Sequence, residues 1–140
     1  MNIRRAKKFA SSALLLSSVA VASGANANVV DITINNATSE TLQLVSSYPS
    51  GSFPITIAPG EKPVVNLLMP GNRTDIEATY TRVGTGTTCK FTASHIEQIT
   101  GPYFNKSATP IGTPEAFCSA SQTPTWSPPY NYKASFGYYY

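Results

Sequence analysis

Asp75 and Glu77 are the side chains in this 140-residue sequence whose types and spacing come nearest to acid–base chemistry. Two residues apart on a strand, they share one face, and a pair of carboxyl groups flanking a glycosidic bond is the machinery of glycoside hydrolysis. The same spacing marks the wet face of a half-buried strand, so a small secreted hydrolase using Asp75 and Glu77 is an alternative reading only. His95 is the single histidine. A serine triad would have to pair it with Ser94 or a distant serine, and no strained G-x-S-x-G turn surrounds any serine. The expected role of His95 is a polar residue facing solvent. A zinc site needs more ligands than His95 and two cysteines supply, and no Asp-rich calcium loop occurs. Gly84-Thr85-Gly86 is turn chemistry rather than a phosphate loop. No catalytic residue, metal ligand or cofactor is therefore assigned, and the chain reads as a non-enzyme.

The aromatic tail is the stronger candidate for recognition. Trp126, Tyr130, Tyr132, Phe136, Tyr138, Tyr139 and Tyr140 concentrate ring surface in the last fifteen residues. Tyrosine and tryptophan join an apolar body to a polar tip, which suits protein partners, sugars and membrane interfaces. Tyr132 and Phe136 are expected to fill the core. Trp126, Tyr130, Tyr138, Tyr139 and Tyr140 form the candidate binding surface, with Trp126 beside Pro128-Pro129 and Tyr139 off the apolar stripe as its best members.

The alternating aromatic C-terminus resembles the terminal signal of bacterial outer-membrane barrels, with Tyr140 last. A barrel would need eight membrane-length strands, which a mature chain so interrupted by Pro and Gly cannot easily supply. The tail also resembles that of chaperone-assembled fimbrial subunits, where alternating apolar residues and a penultimate Tyr, here Tyr139, form an assembly strand. Those families usually carry Gly fourteen residues from the end, where this chain has Ser127, and an earlier cysteine pair; no residue role is carried over. Small secreted lipid-binding or pore-forming sandwiches are similar in size and composition.

Compartment follows from the first 27 residues. Arg4, Arg5, Lys7 and Lys8 precede an apolar run from Phe9 to Ala22, and Ala25-Asn26-Ala27 is an A-x-A cleavage site. This is a cleavable signal peptide, with the cut after Ala27, too short in its apolar core to span a bilayer. The chain is then secreted or periplasmic, and the compact charge cluster suggests a bacterial source. Removing the leader leaves 113 residues, one domain's worth, with six basic and seven acidic side chains. That near-neutral balance argues against a nucleic-acid partner.

Cys89 and Cys118 both lie in the mature part, and an oxidising compartment normally joins such a pair. Asn36-Ala37-Thr38, Asn72-Arg73-Thr74 and Asn105-Lys106-Ser107 match the N-glycosylation pattern, at about the frequency expected by chance in a chain rich in Ser and Thr.

The elements that must position these residues are strands. Val30-Asp31-Ile32-Thr33-Ile34 places Val30, Ile32 and Ile34 on one face. Leu42 to Leu44, Phe53 to Ile57 and Val64 to Met69 follow. A hairpin is expected between Thr74 to Val83 and Thr87 to Ala93, with Thr85-Gly86 as a two-residue loop. That loop pairs Arg82 with Cys89, Tyr80 with Phe91 and Ala78 with Ala93. Residues 100 to 129, dense in Gly, Pro, Ser and Thr, read as one long irregular connection, a favoured place for function. The segment from Tyr130 to Tyr140 is a strand, with the even-numbered residues on one face. Seven or eight turn-separated strands without helices predict an all-β chain: an antiparallel β-sandwich of Ig-like or related Greek-key topology over residues 28–140, with one disulfide.

The functional expectation is a secreted or periplasmic binding or interaction module, using the exposed aromatics and the long Pro/Gly-rich loop in an adhesion, surface or assembly role. Its partner is a protein or a carbohydrate, with homo-oligomerisation through the C-terminal strand as a further expectation. A membrane-active protein with Trp126 and the tyrosines at the lipid interface is the second class.

Overall fold

The computed structural model describes residues 27–113 and 116–139. The leader read over residues 1–27 lies outside them except for Ala27, as does Tyr140. Nine strands form among the described residues, and no helix: β1 (Asn28–Asn36), β2 (Leu42–Tyr48), β3 (Thr56–Ile57), β4 (Val64–Met69), β5 (Arg73–Arg82), β6 (Thr88–Gln98), β7 (Gly101–Ile111), β8 (Phe117–Pro124) and β9 (Tyr132–Tyr139). They make a four-stranded sheet in the order β4-β1-β9-β8 and a five-stranded sheet in the order β3-β2-β5-β6-β7. The two sheets form the all-β sandwich that the alternation predicts. Every pairing is antiparallel but one: β1, the first strand, runs parallel to β9, the last, with Val30 opposite Tyr132 and Ile34 opposite Phe136.

Period-two patterning explains the layers. β1 buries Val30, Ile32 and Ile34, and β9 buries Tyr132, Ala134, Phe136 and Tyr138. From the other sheet come Leu42, Ile76, Ala78, Tyr80, Phe91 and Ala93. Phe91 and Phe136 stack across the interface with centroids 4.9 Å apart. Each large side chain buried this way contributes about 2–3 kcal/mol, against about 1 kcal/mol for a typical hydrogen bond. Burial therefore supplies the stability, and polar contacts between the layers fix which side chains meet. Tyr132 and Tyr138 do this, while Tyr80 ties its own sheet to the β2–β3 connection. Tyr132 Oη lies 3.0 Å from Thr74 Oγ1, Tyr80 Oη donates to the Pro54 carbonyl at 2.8 Å, and Tyr138 Oη donates to the Thr87 carbonyl and to Thr87 Oγ1. Burial raises the pKa of all three phenols, that of Tyr132 to about 12. The disulfide between Cys89 and Cys118 crosses the same gap, with Cα atoms 6.0 Å apart. It suits a non-cytoplasmic compartment.

Three expectations about elements are corrected. The β5–β6 hairpin pairs Tyr80 with Cys89, Ala78 with Phe91 and Ile76 with Ala93, two residues from the expected register and so on the same face. Its loop is four residues, Val83–Gly86: the Arg82 N–H donates to the Thr87 carbonyl at 2.9 Å and the Gly86 N–H to the Arg82 carbonyl at 2.8 Å. A two-residue type I′ turn would have forced β-branched Thr85 to positive φ, whereas in the longer loop only Gly86 does so, at 71°. Residues 100 to 129 are not an irregular connection. They hold β7, paired with β6 along its whole length, and β8, paired with β9. Both are edge strands; β7 is exposed on much of both faces, and β8, which alternates in burial, turns small or polar Cys118, Ala120 and Gln122 inward and Phe117 outward, so neither carries a plain apolar stripe. Finally, of Phe53 to Ile57 only Thr56–Ile57 is strand, although Phe53 is buried.

Candidate functional site

The aromatic residues fall into two groups at opposite ends of the sandwich. Tyr132 and Tyr139, at the two ends of β9, are separated by roughly 23 Å at the usual rise of a strand. The first group lies where β8 ends and β9 begins. The connecting segment is tied down by the Thr125 N–H donating to the Asn131 carbonyl and the Asn131 N–H donating to the Pro129 carbonyl, both at 2.8 Å. Asn131 Oδ1 also accepts from the Val29 N–H at 2.7 Å, joining the segment to β1.

Trp126 stands on this segment, 67% exposed. Its ring meets Phe104 of β7 edge-on at 5.2 Å. Phe104 in turn contacts His95 at 5.0 Å and Tyr132 at 5.8 Å, and His95 contacts Tyr130 at 5.1 Å. The result is a chain of rings, Trp126–Phe104–His95–Tyr130, running from exposed Trp126 over buried His95 to half-buried Tyr130. The other exposed apolar residues at this end are Val29, Leu68, Tyr103 and Ile99, the last fully exposed at the β6–β7 turn.

His95 is not the solvent-facing residue expected. It is buried, and neither ring nitrogen has a hydrogen-bond partner among the described residues. Desolvation lowers its pKa, against a smaller opposing pull from Glu97, because an imidazolium would lose hydration without gaining an acceptor. The signal was present in the parity of β6: Phe91, Ala93 and His95 are spaced by two, and the first two face the core. Phe104 joins the group through its register with His95.

The candidate surface is thus only partly assembled. Trp126 and Tyr130 share an end, with Tyr130 half-buried over His95. Tyr138 is corrected: it is fully buried, since it belongs to the even-numbered stripe that faces the core. Tyr139 lies at the far end, on the outer face of the four-stranded sheet, opposite Phe117 of β8. Phe117 is more exposed than Tyr139 and is not among the residues the sequence offered for the surface.

Asp75 and Glu77 share the outer face of β5, as their spacing requires. Each is ion-paired on that face, Asp75 with Arg73 at 2.6 Å and Glu77 with Lys90 at 2.9 Å. Tyr48, Thr92 and Ser94 complete a shallow open depression around them. His95 projects to the opposite side of the sheet, so no imidazole joins the carboxylates. No cluster of three or more His, Cys, Asp or Glu side chains suited to a metal occurs among the described residues.

The N-x-S/T match at Asn36 has a structural use. Asn36 is fully buried; Nδ2 donates to the carbonyls of Glu40, Ile57 and Ala58 at 2.8 to 3.1 Å, and Oδ1 accepts from the N–H and hydroxyl of Thr38. Neither protein-family models nor curated proteins give a match to this chain.

Proposed function

We propose that the chain is an exported, non-enzymatic binding module, with a sandwich of Ig-like or related Greek-key topology as a rigid base and the Trp126 end as its contact surface. The observation that carries this reading is that Trp126 is mostly exposed yet held edge-on by Phe104, which itself rests on His95 and Tyr132. A large ring already held in one orientation loses little freedom when a partner arrives, and tryptophan is enriched among residues that dominate binding energy. Export rests on the leader over residues 1–27 and agrees with the disulfide. Both edges of β9 are filled, by β1 and β8; a second copy joining by strand addition would meet the open edge of β4 more readily than the aromatic tail.

A membrane-surface reading is second, favoured by Ile99 at the tip of the β6–β7 turn, with Tyr103 and Leu68 at the same end as Trp126. Aromatic and aliphatic side chains exposed at one end of the sandwich suit the interfacial zone of a bilayer. The hydrolase reading draws less from the geometry, since each carboxylate already holds a cation.

Trp126 is the sole tryptophan, so its fluorescence reports on this surface alone. The test exposes the mature chain and a Trp126→Ala variant to immobilised polysaccharides, immobilised glycoproteins and phosphatidylcholine vesicles with and without phosphatidylglycerol. The expected result is retention on an immobilised ligand, with a blue shift of Trp126 emission, and a loss of about tenfold or more in affinity in the variant at unchanged melting temperature. Retention equal in both proteins would move the contact surface away from Trp126. A blue shift with vesicles alone, reduced by Ile99→Ser, would select the second reading.

A further inference from the structure

The other aromatic group offers a different chemistry. Phe117 and Tyr139 face each other across β8 and β9 on the solvent side of the four-stranded sheet, 68% and 38% exposed. The next two rows of that face are polar: Asn35, Gly137 and Ser119 lie side by side, followed by Thr33, Ser135 and Ser121.

Gly137 is the anomaly. A glycine inside an interior strand weakens it and often marks a close approach. Its φ is not in the left-handed region, so the backbone does not demand glycine. Space does. A Cβ at this position would lie 2.5 Å from Ser119 Oγ, 2.6 Å from Tyr139 Cε2 and 2.7 Å from Tyr139 Oη. The Tyr139 ring therefore leans back over Gly137 and buries it on the solvent side of the sheet, while Ser119 Oγ donates to Tyr139 Oη at 3.4 Å.

Next to this ring is a shallow cleft of about 200 Å³ whose polar lining is Asn35, Ser119, Ser121 and Ser135. The side chains of Asn35, Ser121 and Ser135 take part in none of the hydrogen bonds found among the described residues, and no charged group lines the cleft. A wholly apolar ligand would strand these hydroxyl and amide groups without partners, and a charged one would find no counter-ion. The site fits a neutral molecule with one C–H face for an aromatic ring and a rim of hydroxyls for short polar side chains.

We propose that this cleft binds a pyranose unit of a neutral saccharide, its C–H face against Tyr139 and its hydroxyls on Asn35, Ser121 and Ser135. Gly137 is a positioning residue that sets the ring against the sheet. The assignment rests on the reading of the chain as a binding module but uses a surface distinct from Trp126, so the two fail separately.

The test is titration of the isotope-labelled mature chain with the methyl pyranosides of glucose, galactose, mannose and N-acetylglucosamine to ~50 mM, because single sugars bind weakly. At least one is expected to shift the amides of Asn35, Ser119, Ser121, Ser135 and Gly137 in a saturable way. The shifts should be abolished by Tyr139→Ala, weakened several-fold by Gly137→Ala, and kept in Tyr139→Phe and Trp126→Ala. Melting temperatures of the variants near that of the wild type establish that the sandwich is intact. If Tyr139→Ala loses its fold, Gly137→Ala, which retains the phenol, decides. Absence of shifts with all four sugars, or shifts unaltered by Tyr139→Ala or Gly137→Ala, would overturn the proposal. Shifts confined to the Trp126 end would overturn it too, while supporting the Trp126 surface.

Discussion

Cys89 and Cys118 join a strand inside one sheet to an edge strand of the other: β6 has neighbours on both sides, whereas β8 pairs only with β9. The bond therefore anchors an edge strand that has a ladder on one side only, and it closes a loop of 29 residues. In the chain-entropy account a loop of that size constrains the unfolded chain by about 3–4 kcal/mol. A Cys89→Ala, Cys118→Ala variant is expected to lose that much stability in urea unfolding. A loss below about 1 kcal/mol would mean that β8 is held by its ladder and packing alone.

How far the sequence spoke for this fold depended on which side chains alternate. β1 and β9 announce themselves because Val30, Ile32, Ile34 and then Tyr132, Ala134, Phe136, Tyr138 are buried every second residue. β7 does not, because an edge strand exposed on much of both faces has no apolar stripe to set its period, and β8 does not, because its alternating inner face is made of Cys118, Ala120 and Gln122 while Phe117 points out. The hairpin face was legible from Tyr80, Phe91 and Ala93, but its register was hidden in the choice of which residue adopts positive φ. Of the candidate site, Trp126 was legible from its proline-rich surroundings. The burial of His95 was readable by parity with Phe91, whereas the pairing of Phe117 with Tyr139 depends on a register no local pattern reveals.

Asn36 is expected to tolerate neither truncation nor a charge. Its amide faces three carbonyls, and its carbonyl takes two donors from Thr38. Asn36→Ala leaves those groups unpartnered and should cost about 2–3 kcal/mol. Asn36→Asp should cost more, because a buried carboxylate would then face three carbonyl oxygens. Chemical denaturation of both variants checks the order; an Asp variant as stable as the Ala variant would mean that water reaches the site.

Phe104 is expected to control Trp126 without being its only support. Replacing Phe104 by Leu keeps apolar volume beside His95 but removes the ring edge that meets the indole at 5.2 Å. Stability should fall by about 1 kcal/mol, and the fluorescence anisotropy of Trp126 should drop as the indole gains freedom. Unchanged anisotropy would place the restraint in the 125–131 segment itself, with its Thr125 to Asn131 hydrogen bond.

His95 should make the fold sensitive to mild acid. The groups packed on it are Phe104 from β7 and Tyr130 from the segment before β9. Thr74 of β5 is its ladder partner, and Glu97 on its own strand is the nearby charge that pulls its pKa upward. Neither imidazole nitrogen has an acceptor among the described residues. Desolvation outweighs Glu97, so the folded pKa lies below the ordinary value of 6.5. Below that value the unfolded chain binds a proton that the folded chain does not, and stability rises with pH wherever the unfolded state holds more protons. The contribution is complete above about pH 6.5 and is lost as pH falls from there through the lowered folded pKa. Melting temperature should therefore drop between about pH 7 and pH 5 in the wild type, and drop less in His95→Leu, which keeps the apolar contacts and removes the titrating group. The two proteins differ only at residue 95, so the difference between their profiles belongs to His95 and its interaction with Glu97. Parallel pH profiles would show that the imidazole takes up its proton within the folded chain, with water reaching the nitrogens between Phe104 and Tyr130.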